Sequence, residues 1–497
     1  MTQDNRSQDV DQRAVGRRNL IKGAAAIGVG SLSARGIYEA LGDVVRPQSA
    51  EAATVVRRLQ EQYLIEQLEV IVDNSQTVVI PPIFNDVFTA KLKSTTTWTS
   101  AALKAAKTRV ENALLKVESP YPDTAAGLTI VVGWGLPYFR TFFGDTATTA
   151  GNTLSRKYLP GVPGSSPKQL AVVDAIAFPS DPSTVELEDN HVMFKFRSDK
   201  QSILQLVESQ LFDDQNSGAY IGDLFDLTSK RIGFLGRGFN QQSYGKTLGL
   251  QRGATAAALI PDNSQLMMGF TSTQTQALGP DNIPSFETLR GVTDQYPAGY
   301  FAAGCAMHLS HLYFKLDEWY AQGYGTRVQQ MFAPQTPVPA SPSTVTIPNG
   351  PAQVTSLAQV KADAQQGKAG HNSLLQQATR LASDSIDNYG RVRKKGTAIP
   401  VREDFNTLDN PFAWAPADVA TIGNPNTPGM HFVAFVPSHL AFHRARMSMD
   451  GHLPDGSTLS VNGTAAGINS KIAASHRQNY VIPPRKNRSF PLVEFLT

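Results

Sequence analysis

The sequence predicts an α+β fold, a duplicated ferredoxin-like sandwich in which two antiparallel sheets carry helices packed on them. Three observations point there. Segments of alternating polarity are followed by segments with apolar residues at helical spacing. The same grammar recurs in both halves of the chain, and no short repeat period is present that would make a solenoid.

The first fifty residues read as an address. Residues 1–16 are polar, and Arg17–Lys22 (RRNLIK) then precede a small, weakly apolar run from Gly23 to Ala34. This resembles the twin-arginine export signal of bacteria, and Ala50-Glu51-Ala52 offers the small-x-small pattern that a signal peptidase needs. The expected division is a twin-arginine signal peptide over 1–52, an N-terminal ferredoxin-like half with a leading helix over 53–290, and a C-terminal half over 291–497. Export places the protein in the periplasm or outside the cell.

In the N-terminal half, Val55, Leu59, Tyr63, Leu64, Leu68 and Ile71 sit at helical spacing and predict a helix over 54–72. Val87 to Leu92 alternates as a strand does. The stripe Leu103, Ala106, Val110, Leu114 and Leu115 predicts a helix from Ser100 to Val117, stopped by Pro120 and Pro122. Leu128–Gly135 reads as a buried strand, His191–Arg197 as an alternating one and Ser202–Phe212 as an amphipathic helix. In the C-terminal half, Tyr300–Phe314 is a long alternating strand, and Asp317-Glu318-Trp319-Tyr320 opens a helix. Residues 334–351 hold six prolines among Ser and Thr and read as an exposed loop. Gly370–Leu381 looks helical, His431–Val436 is a strand, and Ser438–Met449 is the helix behind it.

Composition removes whole function classes. Hydrophobic residues make up 41% and charged residues 18% of the 497, which suits a globular core. With 45 Lys+Arg against 42 Asp+Glu there is no basic field to hold nucleic acid. Cys305 is the single cysteine, so an internal disulfide framework and a multi-cysteine metal site are excluded. No apolar run of membrane-spanning length is present, so an integral membrane protein is not expected. Gly-x-Ser-x-Gly, Walker-type and His-Glu-x-x-His motifs are missing, which lowers hydrolase, NTPase and zinc-protease readings.

Four segments, in order, resemble the dye-decolourising (Dyp-type) peroxidase family. They are Gly127–Gly135 (GLTIVVGWG), Tyr300–Trp319 (YFAAGCAMHLSHLYFKLDEW), Met430–Pro437 (MHFVAFVP) and Val481–Pro491 (VIPPRKNRSFP). The resemblance implies a duplicated ferredoxin-like domain around one heme b. It also implies reduction of hydrogen peroxide at the expense of a small aromatic or dye-like donor. The family's iron-binding histidine falls on a helix after the long second-half strand, the place of Ala369–Leu375 (AGHNSLL), so the resemblance makes His371 the heme and metal ligand. The bland alternative is a helix-start histidine facing water. The family's distal Gly-Phe-x-Asp-Gly stretch aligns with Ile232–Gly238 (IGFLGRG), where Gly236 stands in place of the aspartate and Arg237 beside it is a candidate heme contact; a plain glycine turn explains the same residues. The family's distal arginine corresponds to Arg393 or Lys394 within Arg391–Gly396, either of which would stabilise a peroxide anion. Trp319 and Trp414 are candidate electron relays.

Other constellations are weaker. His308 and His311, three apart in a strand, point to opposite faces, one toward the core and one exposed. His439 and His443, four apart on a helix, could share a metal or a heme propionate, and Arg444 and Arg446 read as a solvated face. Asp223, Asp226 and Asp262 are loop acids that could replace the aspartate lost at Gly236. Two rival functions stay open: a cofactor-free relative that uses the same sandwich for binding, and a protein that handles heme or iron without turnover. A homo-oligomer is compatible with either.

Overall fold

The computed structural model describes residues 58–236, 238–239, 243–251, 255–271, 283–347, 355–408, 428–461 and 463–497. The signal-like segment, Arg237 and Trp414 lie outside the described residues.

Alternating inward and outward side chains build two four-stranded antiparallel sheets. The first comprises β1 (Phe84–Leu92), β2 (Thr129–Gly135), β3 (Val192–Ser198) and β4 (Phe225–Phe234), in the order β4-β1-β3-β2. Helix α1 (Ser100–Glu118) joins β1 to β2, and α2 (Gln201–Glu208) joins β3 to β4. The second comprises β5 (Cys305–Phe314), β6 (Phe405–Thr407), β7 (Gly429–Val436) and β8 (Ile472–Ile482), in the order β8-β5-β7-β6. Helix α3 (His371–Thr379) lies in the crossover from β5 to β6, and α4 (His439–Met449) joins β7 to β8. Fourth-first-third-second order with helices in both crossovers is the ferredoxin-like arrangement, present twice. The sheets also join edge to edge. Tyr480 and Val481 of β8 pair with Gly135 and Trp134 of β2, and Asn406 of β6 pairs with Phe234 of β4, closing a circuit of strands.

Inside that circuit lie Val87, Val131, Met193, Met307, Leu309, Val433, Phe435, Tyr480 and Ile482. An ion group is sealed in with them. Arg197 donates to Glu403 at 2.7 Å, and Lys195 donates to Asn85 at 2.7 Å while lying 3.4 Å from Glu403. Outside the circuit, α1 lays Leu103, Ala106, Val110, Leu114 and Val117 on the first sheet. Its start is fixed by Thr99, whose hydroxyl accepts from the Ala102 N–H.

The predicted helix over 54–72 is not there in its described part. Tyr63, Leu64 and Ile65 are consecutive and all buried, which a one-sided helix cannot achieve; they plug the end of the strand circuit, with Tyr63 stacked on Phe435 at 5.4 Å. The segment then forms a hairpin, Glu69–Asp73 with Gln76–Ile80, whose turn residues Asn74 and Ser75 both take positive φ, the signature of a two-residue turn. His308 and His311 do point to opposite faces, but both are buried, because β5 is covered on its inner face by the strand circuit and on its outer face by α4. His308 stacks on Phe442 at 3.7 Å, and the His311 ring centroid is 4.9 Å from that of His431. Among the described residues, no helix is long and apolar enough to cross a membrane.

Burial holds His308, His311, His371, His431, His439 and His476 well below the ordinary histidine range. The unfolded chain binds protons at these sites below about pH 6.5 while the folded one does not, so stability present above that pH is lost as pH falls. The free energy of urea unfolding is expected to drop steeply between pH 7 and pH 5, by up to about 1.4 kcal/mol per pH unit for each such histidine. A flat profile over that range would contradict the burial of these rings.

Candidate functional site

The outer face of the second sheet is only partly covered. Between it and helices α3 and α4 lies a cavity of about 240 Å³. Its walls are mostly apolar: Leu312 and Phe314 from β5, Met430, Phe432 and Ala434 from β7, Leu375 and Ala378 from α3, Phe442 and Met449 from α4, with Met268 and Phe270 from a loop. Polar groups converge on it from distant parts of the chain, namely His371, Arg380, Arg402, Asp404, Arg446, Arg477 and the Ser180-Asp181 pair.

His371 is the first residue of α3, and two glycines fix that helix start. A Cβ at Gly370 would lie 2.5 Å from the Phe332 carbonyl oxygen and 2.6 Å from the Ala333 Cα, so only glycine lets the chain pass there. A Cβ at Gly467, whose φ is +52°, would lie 2.7 Å from the His371 nitrogen. The Ser373 N–H donates to Phe332 at 2.9 Å and ties the first turn to the same strut. The imidazole so placed borders the cavity, and its Nδ1 has no hydrogen-bond partner. Burial first, and then the Arg402 and Arg446 guanidiniums, push its pKa down to about 3. The ring is therefore neutral at every physiological pH and keeps a lone pair available.

The two acids on the wall differ. Asp181 is fully engaged: it accepts from the Phe178 N–H side of a turn through Oδ2 at 2.8 Å, from Arg477 through both oxygens, and from Arg446 at 3.2 Å. Asp404 accepts from the Val433 N–H at 3.1 Å and lies 3.6 Å from Arg402. Burial raises its pKa to about 6 against the opposing pull of Arg402. Four guanidiniums face two lining carboxylates, with Asp450 behind Arg446, so the cavity favours an anionic guest.

Of the residues expected from sequence, His371 lines the cavity. Arg393 and Lys394 do not: a small hairpin, Ser385–Ile386 with Val392–Arg393, carries them away. There Arg393 donates to Asp387 at 3.0 Å, and Lys394 is exposed and pairs with Asp384 at 2.8 Å. Cavity cations come instead from Arg380 and Arg402 on either side of that hairpin. At Gly236 a Cβ would lie 2.9 Å from the Ser264 carbonyl oxygen, so backbone occupies the space an aspartate would need. Asp223, Asp226 and Asp262 form surface pairs with Arg109, Lys93 and Lys246 and line no part of the cavity. His439 is spent on backbone: its Nδ1 accepts from the Val173 N–H at 3.0 Å, and Nε2 faces the Tyr480 carbonyl at 3.1 Å. Arg446, read as solvated, is buried against Asp181, while Arg444 is exposed. Trp319 is buried and donates to the Met268 carbonyl at 2.9 Å, holding a wall residue in place.

Residues 90–484 match the family of unknown function DUF7405. No curated protein matches the chain. Among solved structures, the chain is similar to the DyP-type peroxidase of Cellulomonas bogoriensis at 15% identity, with 86% of this chain and 95% of that one covered and a TM-score of 0.48. It is similar to the dye-decolorizing protein of V. cholerae at 13% identity, covering 83% and 97%, with a TM-score of 0.45. It is also similar to the encapsulated DyP-type peroxidase of Mycobacterium smegmatis at 10% identity, covering 82% and 95%, with a TM-score of 0.46. Likeness at this level says nothing of chemistry.

Gly370→Ala tests the placement of His371. The new methyl group collides with backbone at Phe332 and Ala333, and overpacking of this kind costs roughly 1–3 kcal/mol. A loss of that size in urea unfolding is expected; a variant as stable as the parent would contradict the close approach.

Proposed function

The chain belongs to the DUF7405 family, and we propose that it is an exported heme-binding oxidoreductase of the dye-decolourising peroxidase type, reducing hydrogen peroxide with a small aromatic donor. One observation carries the reading: a neutral imidazole at His371, half-buried with its Nδ1 sealed from water, borders an apolar cavity that guanidiniums ring. The residues present suit heme on three counts. His371 offers the lone pair an iron takes, and its unpartnered Nδ1 marks a ring not committed to the protein's own hydrogen bonding. Leu312, Phe314, Phe432 and Leu375 present apolar surface to a macrocycle, while Arg380, Arg402, Arg446 and Arg477 suit its carboxylates. At about 240 Å³ the cavity is close to the lower bound of small-molecule sites, roughly 300 Å³. Met268, Met331, Met430 and Met449 on its walls are unbranched side chains that can re-pack around a larger guest.

When bound, heme supplies the redox centre for peroxide reduction. The chain's own part would be to hold it through His371, to exclude water with the apolar walls, and to pair its carboxylates with the cavity guanidiniums. Export follows from Arg17-Arg18 and the mild apolar run behind them.

Two outcomes are expected. Protein produced with ample heme should show a Soret band, and His371→Ala should lose it while keeping the parent's fold by circular dichroism; a parent without the band would favour the cofactor-free relative. Replacing Arg17 and Arg18 together by lysine should leave the precursor in the cytoplasm, and undiminished export would overturn the twin-arginine reading.

A further inference from the structure

We infer that the inner face of the second sheet holds a site for one divalent metal ion of the zinc class, formed by His311, His431, His476 and Glu186, which stand in one row across four neighbouring strands. The site lies on the opposite face of that sheet from the cavity beneath α3 and α4, and it does not depend on the heme reading. His431 of β7 is the direct partner of His311 in β5, His311 of His476 in β8, and His476 of Glu186 in the short strand Glu186–Leu187. Neighbouring strands are about 4.8 Å apart, and on the inside of a closed circuit their side chains converge. A bulge completes the row: β8 carries one extra residue, Ser475, opposite β5, and this brings His476 onto the inner face.

Hydrogen bonds around Ser475 set which nitrogen two of the rings offer. The Ser475 hydroxyl donates to the His311 carbonyl at 3.4 Å, and its Oγ lies 2.7 Å from Nδ1 of His311 and 3.1 Å from Nδ1 of His476. A hydroxyl has one proton to give, so both imidazoles donate their Nδ1–H to it and keep a lone pair on Nε2. A metal-binding histidine is held in the same way, its second nitrogen tied down so that tautomer and ring orientation are fixed. Nε2 of His476 then faces a Glu186 carboxylate oxygen at 3.2 Å, lone pair against lone pair, with burial keeping the ring neutral. Two acceptors repel at that distance unless a cation joins them. Two ligands on one tetrahedral ion, with bonds of about 2.0–2.1 Å, stand about 3.3 Å apart.

His431 points the same way. It is wholly buried, neither of its ring nitrogens has a hydrogen-bond partner, and its centroid is 4.9 Å from that of His311. A buried imidazole with both nitrogens idle is unfavourable until something binds it. Among the described residues no three such groups stand ready around an ion as they are placed, so loading requires the His431 ring to turn toward Nε2 of His311 and His476. The cations that bear on His431, Arg231 and Lys195, each face a carboxylate, Glu188 at 2.6 Å and Glu403 at 3.4 Å. The Glu186 side chain is 60% exposed, which gives an ion a way in from solvent. Three imidazoles and a carboxylate suit zinc better than calcium or magnesium, which prefer oxygen ligands throughout. Bound there, the ion ties the Glu186 segment to three strands of the second sheet.

The test adds Zn²⁺, or Co²⁺ as a coloured substitute, to the tag-free full chain after chelator treatment. The parent should bind one equivalent, give the intense visible band of four-coordinate Co²⁺, and melt at a higher temperature with zinc than without it. His431→Gln and Glu186→Gln should each weaken binding by roughly 10-fold or more, and so should Ser475→Ala, which removes no ligand but frees two rings. Glu186 is at the rim, so its variant keeps the test decisive if His431→Gln does not fold by circular dichroism. A parent that binds neither ion, or parent-like affinity in Glu186→Gln or in folded His431→Gln, overturns the site. Loss of binding in His371→Gln would place the ion in the other cavity and overturns it as well. The Soret band is a separate readout, so the heme reading and the metal site fail independently.

Discussion

The structure depends on a closure between its two sheets. The last strand of each ferredoxin-like half pairs with the second strand of the other, β8 on β2 and β6 on β4. Neither sheet then has a free edge at these junctions, and the space between them becomes a sealed interior. Arg197, Lys195 and Glu403 are buried there without access to water, and removing one partner strands the others at a cost of about 3–5 kcal/mol. With the inner faces used up, any pocket for an organic guest must be built on an outer face, beneath the helices.

The two halves treat that outer face differently. In the first, aromatic rings fill it: Phe88 stacks on Phe212 at 5.0 Å, and Phe194 meets Phe225 edge-on at 5.4 Å, under a helix of 19 residues. In the second, α3 has 9 residues, and the facing surfaces carry Ala434, Ala441, Ala445 and Ala474, which leave space in place of rings. Duplication thus supplies two equivalent positions, and side-chain volume decides that one is core and the other a cavity. His371 at the head of the short helix turns that cavity from a packing gap into a place with a lone pair to offer.

Much of the fold was legible because its elements keep clean periods. The α1 stripe and the strands β3 and β7 are visible in the residues, since one face of each is largely apolar, and β5 shows through although His308 and His311 interrupt its two faces. Strand β4 was not, because its inward side chain Arg231 pairs with Glu188 at 2.6 Å and breaks the apolar alternation. The hairpin after residue 68 was masked by Leu59, Tyr63, Leu68 and Ile71, whose spacing imitates a helix. In the site, His371 could be placed by resemblance, whereas Asp181, Arg380, Arg402, Asp404, Arg446 and Arg477 come from separate segments that topology alone brings together. Arg446 shows the difficulty well: its helix is basic, and nothing local says that Asp181 of the other half waits across from it.

The central claim is that an imidazole at position 371 holds a heme iron in the cavity beneath α3 and α4. The most direct measurement is a crystal structure of the protein loaded with hemin. The account predicts a macrocycle against Leu312, Phe432 and Leu375, with its iron bonded to His371 and its carboxylates on cavity arginines. Density for hemin elsewhere, or an iron ligated by another residue with the His371 ring turned away, would contradict it.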